Sequence, residues 1–433
     1  MPQGLKSFWR DMHSYSRAYW VLVAGSFVYA TATALAFPFE GIYLRSRLHM
    51  SMSWIGFLYG IVPLTVIPLQ LWGGHLTDRF GRRRMLMLAV TVDVGWFVGI
   101  AFARHVWQVA VLVFVECACG WPLFQTAANA MVADLAPAGR RREAYSISRI
   151  ALNLGVVIGP VAGGLARSAN VSYRLMFLAA AVGCAVATVI LAIWISESRP
   201  ENVVGAQVHV DAAGRSGYRL VAADRRFMAF CLAAVLCGYC CGQFGIAIFA
   251  VFVVVFLHMP AADWGLLFGL NALVFVTVQY PLIRRTRRRD PLLLLAISSL
   301  LLAVGFGLNA FAASLWFLVV LVIVISLGMI LILPIATTVV GDVAPEPVRG
   351  RYMGVWTAVW SGGLALGTAI GGLLMDRIGA RGNFVVTGFI GLAGAAFFLA
   401  LGRRWRLRLK PPGDEGSGGD MGEESSLAHN LVL

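Results

Sequence analysis

Twelve apolar runs separated by short breaks rich in arginine decide what this chain can fold into. They cover 18–44, 53–75, 85–103, 107–132, 144–166 and 173–195 and, after a polar stretch, 227–257, 262–283, 291–311, 315–339, 352–374 and 384–401. About 20 apolar residues cross bilayer hydrocarbon as a helix, and in lipid only helices or closed barrels satisfy every backbone N–H and C=O. The runs lack the two-residue alternation of barrel strands, so they are helices. The sequence therefore predicts an all-α membrane protein with twelve transmembrane helices in two six-helix bundles, 18–195 and 227–401. Residues 1–17 are expected to form a cytoplasmic N-terminal segment and 196–226 a cytoplasmic linker. Residues 402–433, rich in Gly, Ser and acids from Pro411 onward, read as a disordered cytoplasmic tail.

Of the 433 residues 59% are hydrophobic and only 13% charged, against about 25% charged in soluble domains. A net charge of +14 in a soluble protein would suggest nucleic acid as a partner. Here the arginines lie between apolar runs, where they report topology. With the N-terminus in the cytoplasm, 27 of the 35 Lys and Arg fall in cytoplasmic segments and 7 on the outer side, counting Arg174 at the start of span 6, and Arg149 lies inside span 5. That excess places both termini in the cytoplasm. The first run is too long for the core of a signal peptide and is retained as helix 1. All seven cysteines lie inside apolar runs, none with a histidine at metal-ligand spacing; they read as small apolar side chains, and no metal site is expected.

The two halves are related. Residues 134–165 laid on 342–373 without a gap match Asp134 with Asp342, Pro137 with Pro345, Arg141 with Arg349, Gly155 with Gly363, and Gly159 with Gly367. Gly163 and Gly164 fall on Gly371 and Gly372. A finer echo joins GGHLTDRFG from Gly73 to GGLLMDRIG from Gly371, as though helices 2 and 11 descend from one three-helix piece. Nested repeats of this kind build alternating-access transporters.

Two motifs stand out. The run Gly74-His75-Leu76-Thr77-Asp78-Arg79-Phe80-Gly81-Arg82-Arg83-Arg84 resembles the signature of the loop between helices 2 and 3 in the major facilitator superfamily. The run GVVIGPVAGG from Gly155 to Gly164 is similar to the helix 5 signature of that family's drug:proton antiporters. The resemblance covers nearly the whole chain. It implies a monomeric twelve-helix transporter of the bacterial inner membrane that needs no cofactor and draws on the proton gradient. Its implied partners are protons, the lipid bilayer and a small amphipathic or hydrophobic substrate, with no nucleic acid.

The first motif also has a physical reading. Asp78 at a helix end can sit near the positive N-terminus of another helix, helix 11 in the family, while Arg79 and Arg82 can reach acids such as Asp134. Together with Gly74 and Gly81 these residues form a candidate cytoplasmic gate, expected to latch the halves while the cavity faces outward. Arginines at this face also serve topology, but an acid adds nothing to that signal. In the second motif Gly155, Gly159 and Gly163 form one stripe, with Gly164 alongside. The stripe should press helix 5 against a neighbour, taken as helix 8, and Pro160 should bend the helix.

Charge inside the spans is the sharper clue. Glu40 in helix 1, Asp93 in helix 3 and Glu116 in helix 4 are the acids well inside spans, and Arg149 in helix 5 is the base. A charge at mid-bilayer costs about 2.5–3.5 kcal/mol, so each should face water or a partner. Glu116 is the first candidate for carrying a proton, at a position where many antiporters of the resembled family carry Arg in a pattern matched here by Leu112, Glu116 and Gly120. Asp93 is the second. Glu40, just after Pro38 near the outer end of helix 1, is the third, although its place lets it snorkel to the surface, which favours a role outside coupling.

Arg149, Asn153, Tyr239, Gln243 and Asn271 are candidate cavity residues. Gln125 and Asn129, on a continuous helix 4, would lie opposite Glu116. The amides fit interhelical hydrogen bonding better than substrate contact. Tyr29, Tyr59, Tyr239, Phe244 and Trp356 could line an apolar cavity, though most such rings pack. Nothing resembles a nucleotide loop, a Ser/His/Asp set or a zinc motif, so no enzyme activity is expected. The reading is proton-coupled efflux of amphipathic drugs or hydrophobic metabolites. Its rivals are a metabolite symporter, a lipid exporter and, from another class, a transport-inactive receptor or scaffold. Sparse polarity in mid-span favours greasy cargo, and vesicles that move nothing would favour the receptor.

Overall fold

A computed structural model describes residues 15–62, 64, 80–137, 140–195, 221–245, 247–345 and 348–404. The chain is helical throughout these stretches. α1 runs Arg17–Ala36 and resumes as Glu40–Arg47 after a 3-10 turn, Phe37–Phe39; α2 begins as Met52–Val62; α3 is Arg82–Phe102. α4 comes in two pieces, Val106–Cys119 and Trp121–Leu135; α5 is Arg141–Ser168 and α6 Tyr173–Trp194. α7 runs Arg225–Gly242 and resumes as Ile248–Val251 and a π-helical Phe252–Phe256. α8 is Ala261–Thr286, α9 Pro291–Gly307 with a 3-10 end at Leu308–Phe311, and α10 Leu315–Val343. Gly379, at φ 80°, divides the remaining helical stretch into α11 (349–378) and α12 (380–404).

Short polar residues start the helices at the breaks between apolar runs. Ser16, Ser172 and Ser314 accept from Tyr19, Leu175 and Phe317 N–H at the starts of α1, α6 and α10. Asp224 and Asp290 do the same for α7 and α9. Each side chain takes a backbone donor that the first helical turn cannot satisfy internally. The outer surface stays greasy: Phe114, Ile193, Trp316 and Phe389 are each two-thirds or more exposed, as a bilayer solvent requires.

Alternation of the helices puts the start of α1 and the end of α12 on one side of the bundle, the terminal face, and the α1–α2 and α11–α12 turns on the opposite, far face. The duplication is visible in the packing. α1 lies on α5 as α7 lies on α11, and α3 lies on α6 as α9 lies on α12. The paired glycines hold these contacts in register. A methyl group at Gly155 or Gly159 would come within 2.8 Å of Ala30 or 2.7 Å of Ala34 in α1, and one at Gly163 would collide with the Leu35 carbonyl. In the second half a methyl at Gly363 would lie 3.0 Å from Gly238 in α7, and one at Gly367 would collide with the Tyr239 carbonyl. The stripe Gly155, Gly159, Gly163 therefore packs on α1 of its own half, not on α8; it is Gly164, one residue off the stripe, that turns to α8.

The halves meet by the same rule. Gly164 faces Ala262 in α8, and Gly265 in α8 faces Pro160 and Gly164; Gly372 in α11 faces Met52 and Gly56 in α2, and Gly60 faces Ala365. Trp264 Nε1 donates to the Pro38 carbonyl at 2.7 Å, taking an acceptor in the 3-10 turn that interrupts α1. All of these approaches lie in the far half of the bundle. Towards the terminal face Ile150 and Leu154 of α5 and Val276 and Tyr280 of α8 are exposed.

Candidate functional site

The site is built around a break in a membrane helix. Gly120 lies between the two pieces of α4 at φ −88°, ψ −122°, and Pro122 follows as the second residue of the second piece. A helix cannot run through that ψ, and proline removes a further donor. At the start of the half-helix the Trp121 N–H has no acceptor within its own helix, and it donates to Glu116 Oε1 at 3.3 Å. Asp93 comes across from α3. A side chain on Gly120 would begin 2.8 Å from Asp93 Oδ1 and 3.0 Å from Glu116 Oε1, so only glycine lets the two carboxylates converge there. Tyr29 of α1 donates its hydroxyl hydrogen to Asp93 Oδ2. Its ring is braced by Phe124, with centroids 4.1 Å apart, and stacks on Trp121.

These groups open on a cavity of about 340 Å³ lined by α1, α3, α4 and α5 of the first half, with Val62 of α2 and Phe268 of α8. Its walls are mostly apolar and aromatic, among them Phe37, Trp96, Phe97, Trp121 and Phe268; among the described residues Asp93 and Glu116 are the carboxylates on the lining, and no basic residue is on it. Such a chamber attracts a proton or a cation and offers rings to an apolar body.

Glu40 does not snorkel. It has no exposure and accepts from Tyr59 Oη at 2.7 Å and from Trp96 Nε1 at 2.8 Å. The 3-10 turn at Pro38 turns the chain so that Glu40 faces α2 and α3 instead of the surface. It stands directly behind Trp96, outside the cavity lining.

The other candidates are scattered. Arg149 is exposed on α5 towards the terminal face, Asn153 is half-buried one turn on, and neither lines this cavity. Tyr239 and Gln243 are buried in the second half, where Gln243 donates to the Gly367 carbonyl at 2.8 Å and accepts from Asn383 at 2.9 Å. Asn271 of α8 donates to Ser326 of α10 at 2.8 Å. These amides join helices within the second half. Since α4 is not continuous, the reckoning that set Gln125 and Asn129 opposite Glu116 does not apply. Of the five aromatic candidates, Tyr29 lines the cavity, Tyr59 holds Glu40, and Phe244 packs on Phe249 and Trp264.

In the gating motif Gly74, Asp78 and Arg79 lie outside the described residues. Arg82 forms an ion pair with Asp134. Both belong to the first half, at the start of α3 and the end of α4, so this pair ties neighbours within one bundle and does not join the halves. The sequence reading passed over Trp96 and Trp121 and took Gly120 only as part of the Leu112, Glu116 and Gly120 pattern, although Gly-Trp-Pro in mid-span was the available signal for a broken helix.

The profile of the Major Facilitator Superfamily matches residues 22–324 and 292–430. The uncharacterized MFS-type transporter YqjV of Bacillus subtilis is 25% identical over 380 residues, covering 86% of this chain and 89% of that protein. A Na(+), Li(+), K(+)/H(+) antiporter of Planococcus maritimus is 24% identical over 365 residues, 78% of this chain and 85% of the relative. The multidrug resistance protein MdtH of Klebsiella pneumoniae (strain 342) is 26% identical over 388 residues, 85% and 89%. Among solved structures, nucleoside transporter NupG superposes with a TM-score of 0.75 at 13% identity, over 89% of this chain and 99% of that one.

Proposed function

The chain belongs to the Major Facilitator Superfamily, and from that premise we propose that it is a proton-coupled antiporter expelling amphipathic or hydrophobic compounds from the cytoplasm. The transporter class follows from the family. The coupling, the cargo and the direction are our reading. The observation that carries it is the convergence of Asp93 and Glu116 over Gly120 on the wall of an otherwise apolar chamber. Two carboxylates this close cannot both hold a charge cheaply out of bulk water, so a proton shared between them, or a cation in its place, lowers the cost. Substrate with a cationic or hydrogen-bonding head and an aromatic body would compete with that proton, and alternation of the cavity between faces turns the competition into exchange.

Placing the terminal face in the cytoplasm rests on the arginine distribution. With that orientation the far-side contacts correspond to a cavity shut from outside and open towards the cytoplasm. MdtH, named a multidrug resistance protein, supports the cargo class; the relative named an alkali-cation/proton antiporter supports proton exchange and a second reading in which the carboxylate pair takes a small cation. The breadth of apolar wall favours the first.

Purified protein in proteoliposomes with an imposed pH gradient, offered lipophilic cations, neutral amphiphiles, alkali cations and sugars, tests both. Movement of the first two classes, with proton counterflow, is expected. Alkali cations alone would establish the second reading, and movement of nothing would overturn both.

A further inference from the structure

We propose that Asp376 is the latch that holds the far face of this transporter closed, and that its release admits the cavity to that face. The proposal rests on the alternating-access reading above. Asp376, from the end of α11, takes three donors at the start of α2 in the other half: Met52 N–H to Oδ1 at 3.2 Å, Ser53 N–H to Oδ2 at 2.7 Å, and Ser53 Oγ to Oδ2 at 2.7 Å. The first N–H groups of a helix have no partner inside it and carry partial positive charge, so a carboxylate there is bound by charge-assisted hydrogen bonds.

The contact beneath is built for separation and return. α2 and α11 touch backbone to backbone: a methyl at Gly56 would come 3.1 Å from the Gly372 Cα, and one at Gly372 would collide with the Met52 carbonyl. Flat surfaces of this kind have no interlocking side chains to withdraw. The bonds at the rim, to Asp376, therefore set how readily they part.

The sequence places the same device twice. GGLLMDRIG at the end of α11 repeats GGHLTDRFG, with Asp376 in the position of Asp78. The final glycines share one backbone state: Gly379 has φ 80° and ψ 165°, Gly81 φ 95° and ψ 147°. Gly81, at the start of α3, lies on the terminal face and Gly379, between α11 and α12, on the far face, so the two copies end on opposite faces, one in each half. The copy in α11 engages α2 while the far contacts are made.

The test uses the full-length protein with Phe37→Cys, a position on the cavity lining, in membrane vesicles of defined orientation. A membrane-impermeant maleimide is applied from the far face, with the unmodified protein as background. Asp376→Asn keeps one acceptor oxygen and loses the charge; it is expected to raise the labelling rate about tenfold, the ratio that corresponds to about 1.4 kcal/mol. Ser53→Ala removes one bond and keeps the backbone donors, and a smaller rise is expected. Unchanged labelling in both variants, with or without a fall in thermal stability, would make Asp376 a static cap and overturn the latch while transport stands. If the parent is never labelled from the far face under any gradient or substrate, alternating access fails and the latch with it.

Discussion

Trp96 and Glu40 are joined through the indole N–H, 2.8 Å from Glu40 Oε1, so a ring that forms one wall of the cavity is held from behind by a carboxylate with no exposure. The second oxygen takes Tyr59 of α2 at 2.7 Å. Glu40 thus links the chamber to the helix that forms the far contact.

That arrangement predicts a role in shape. Glu40→Ala leaves two buried donors unmatched, at about 1–3 kcal/mol each, and should lower the unfolding temperature in detergent together with substrate affinity. Glu40→Gln keeps one acceptor and should recover most of both. The pH dependence of transport should be the same in Glu40→Gln as in the parent; a shifted profile would return Glu40 to the coupling pathway.

Coupling should follow Asp93 and Glu116 instead. Glu116→Gln is expected to cut gradient-driven efflux by at least about tenfold while the protein folds and still binds substrate, since a neutral amide has nearly the same shape as the carboxylate it replaces at this partly buried site. Asp93→Asn should do the same and should also loosen Tyr29, which donates to Asp93. Proton counterflow measured with a pH-sensitive dye during substrate efflux checks this, and retained coupling in both variants rules out the pair.

Gly120→Ala isolates geometry from charge. Its methyl group would start within 3.0 Å of both carboxylates and 2.8 Å from the Glu116 carbonyl, so the acids must separate although both remain. Overpacking of this sort costs about 1–3 kcal/mol. The variant should be less stable than the parent by that order and should lose coupled transport as Glu116→Gln does. Normal coupling in Gly120→Ala would mean that the convergence is incidental.

The fold was legible because lipid leaves so few choices: run length, arginine placement and the 208-residue offset of the glycines announce twelve helices in two related bundles before any coordinates. The site was legible only in part. Asp93 and Glu116 stood out because charge in a span is costly, but their meeting depends on a break at Gly120 that helical periodicity cannot foresee. Glu40 was misread for a similar reason, because counting residues along a straight helix ignores the turn that Pro38 makes. For the amides Gln243 and Asn271, depth made them cavity candidates while chemistry favoured interhelical bonding, and the bonding is what the bundle shows. Which side of a helix faces the cavity is a property of the packed bundle, and these two are turned away from it, to Gly367, Asn383 and Ser326.

The α5–α8 contact offers the last prediction. A side chain at Gly265 would collide with the Pro160 carbonyl, and one at Gly164 would begin 2.9 Å from the Ala262 Cα. Backbone has no rotamer to move aside, so a large residue at either position must wedge the two helices apart at the far face. Gly164→Leu should therefore favour the arrangement open to that face. Spin labels on Ser168→Cys and Ala261→Cys, at the far ends of α5 and α8, should gain a longer component in their distance distribution. Gly354 provides the contrast, for nothing lies within 4 Å of where its side chain would start, and Gly354→Leu should leave that distribution as it is. A wedge that lowers stability without lengthening the distance would show that the contact is a fixed seam, about which the halves turn without parting.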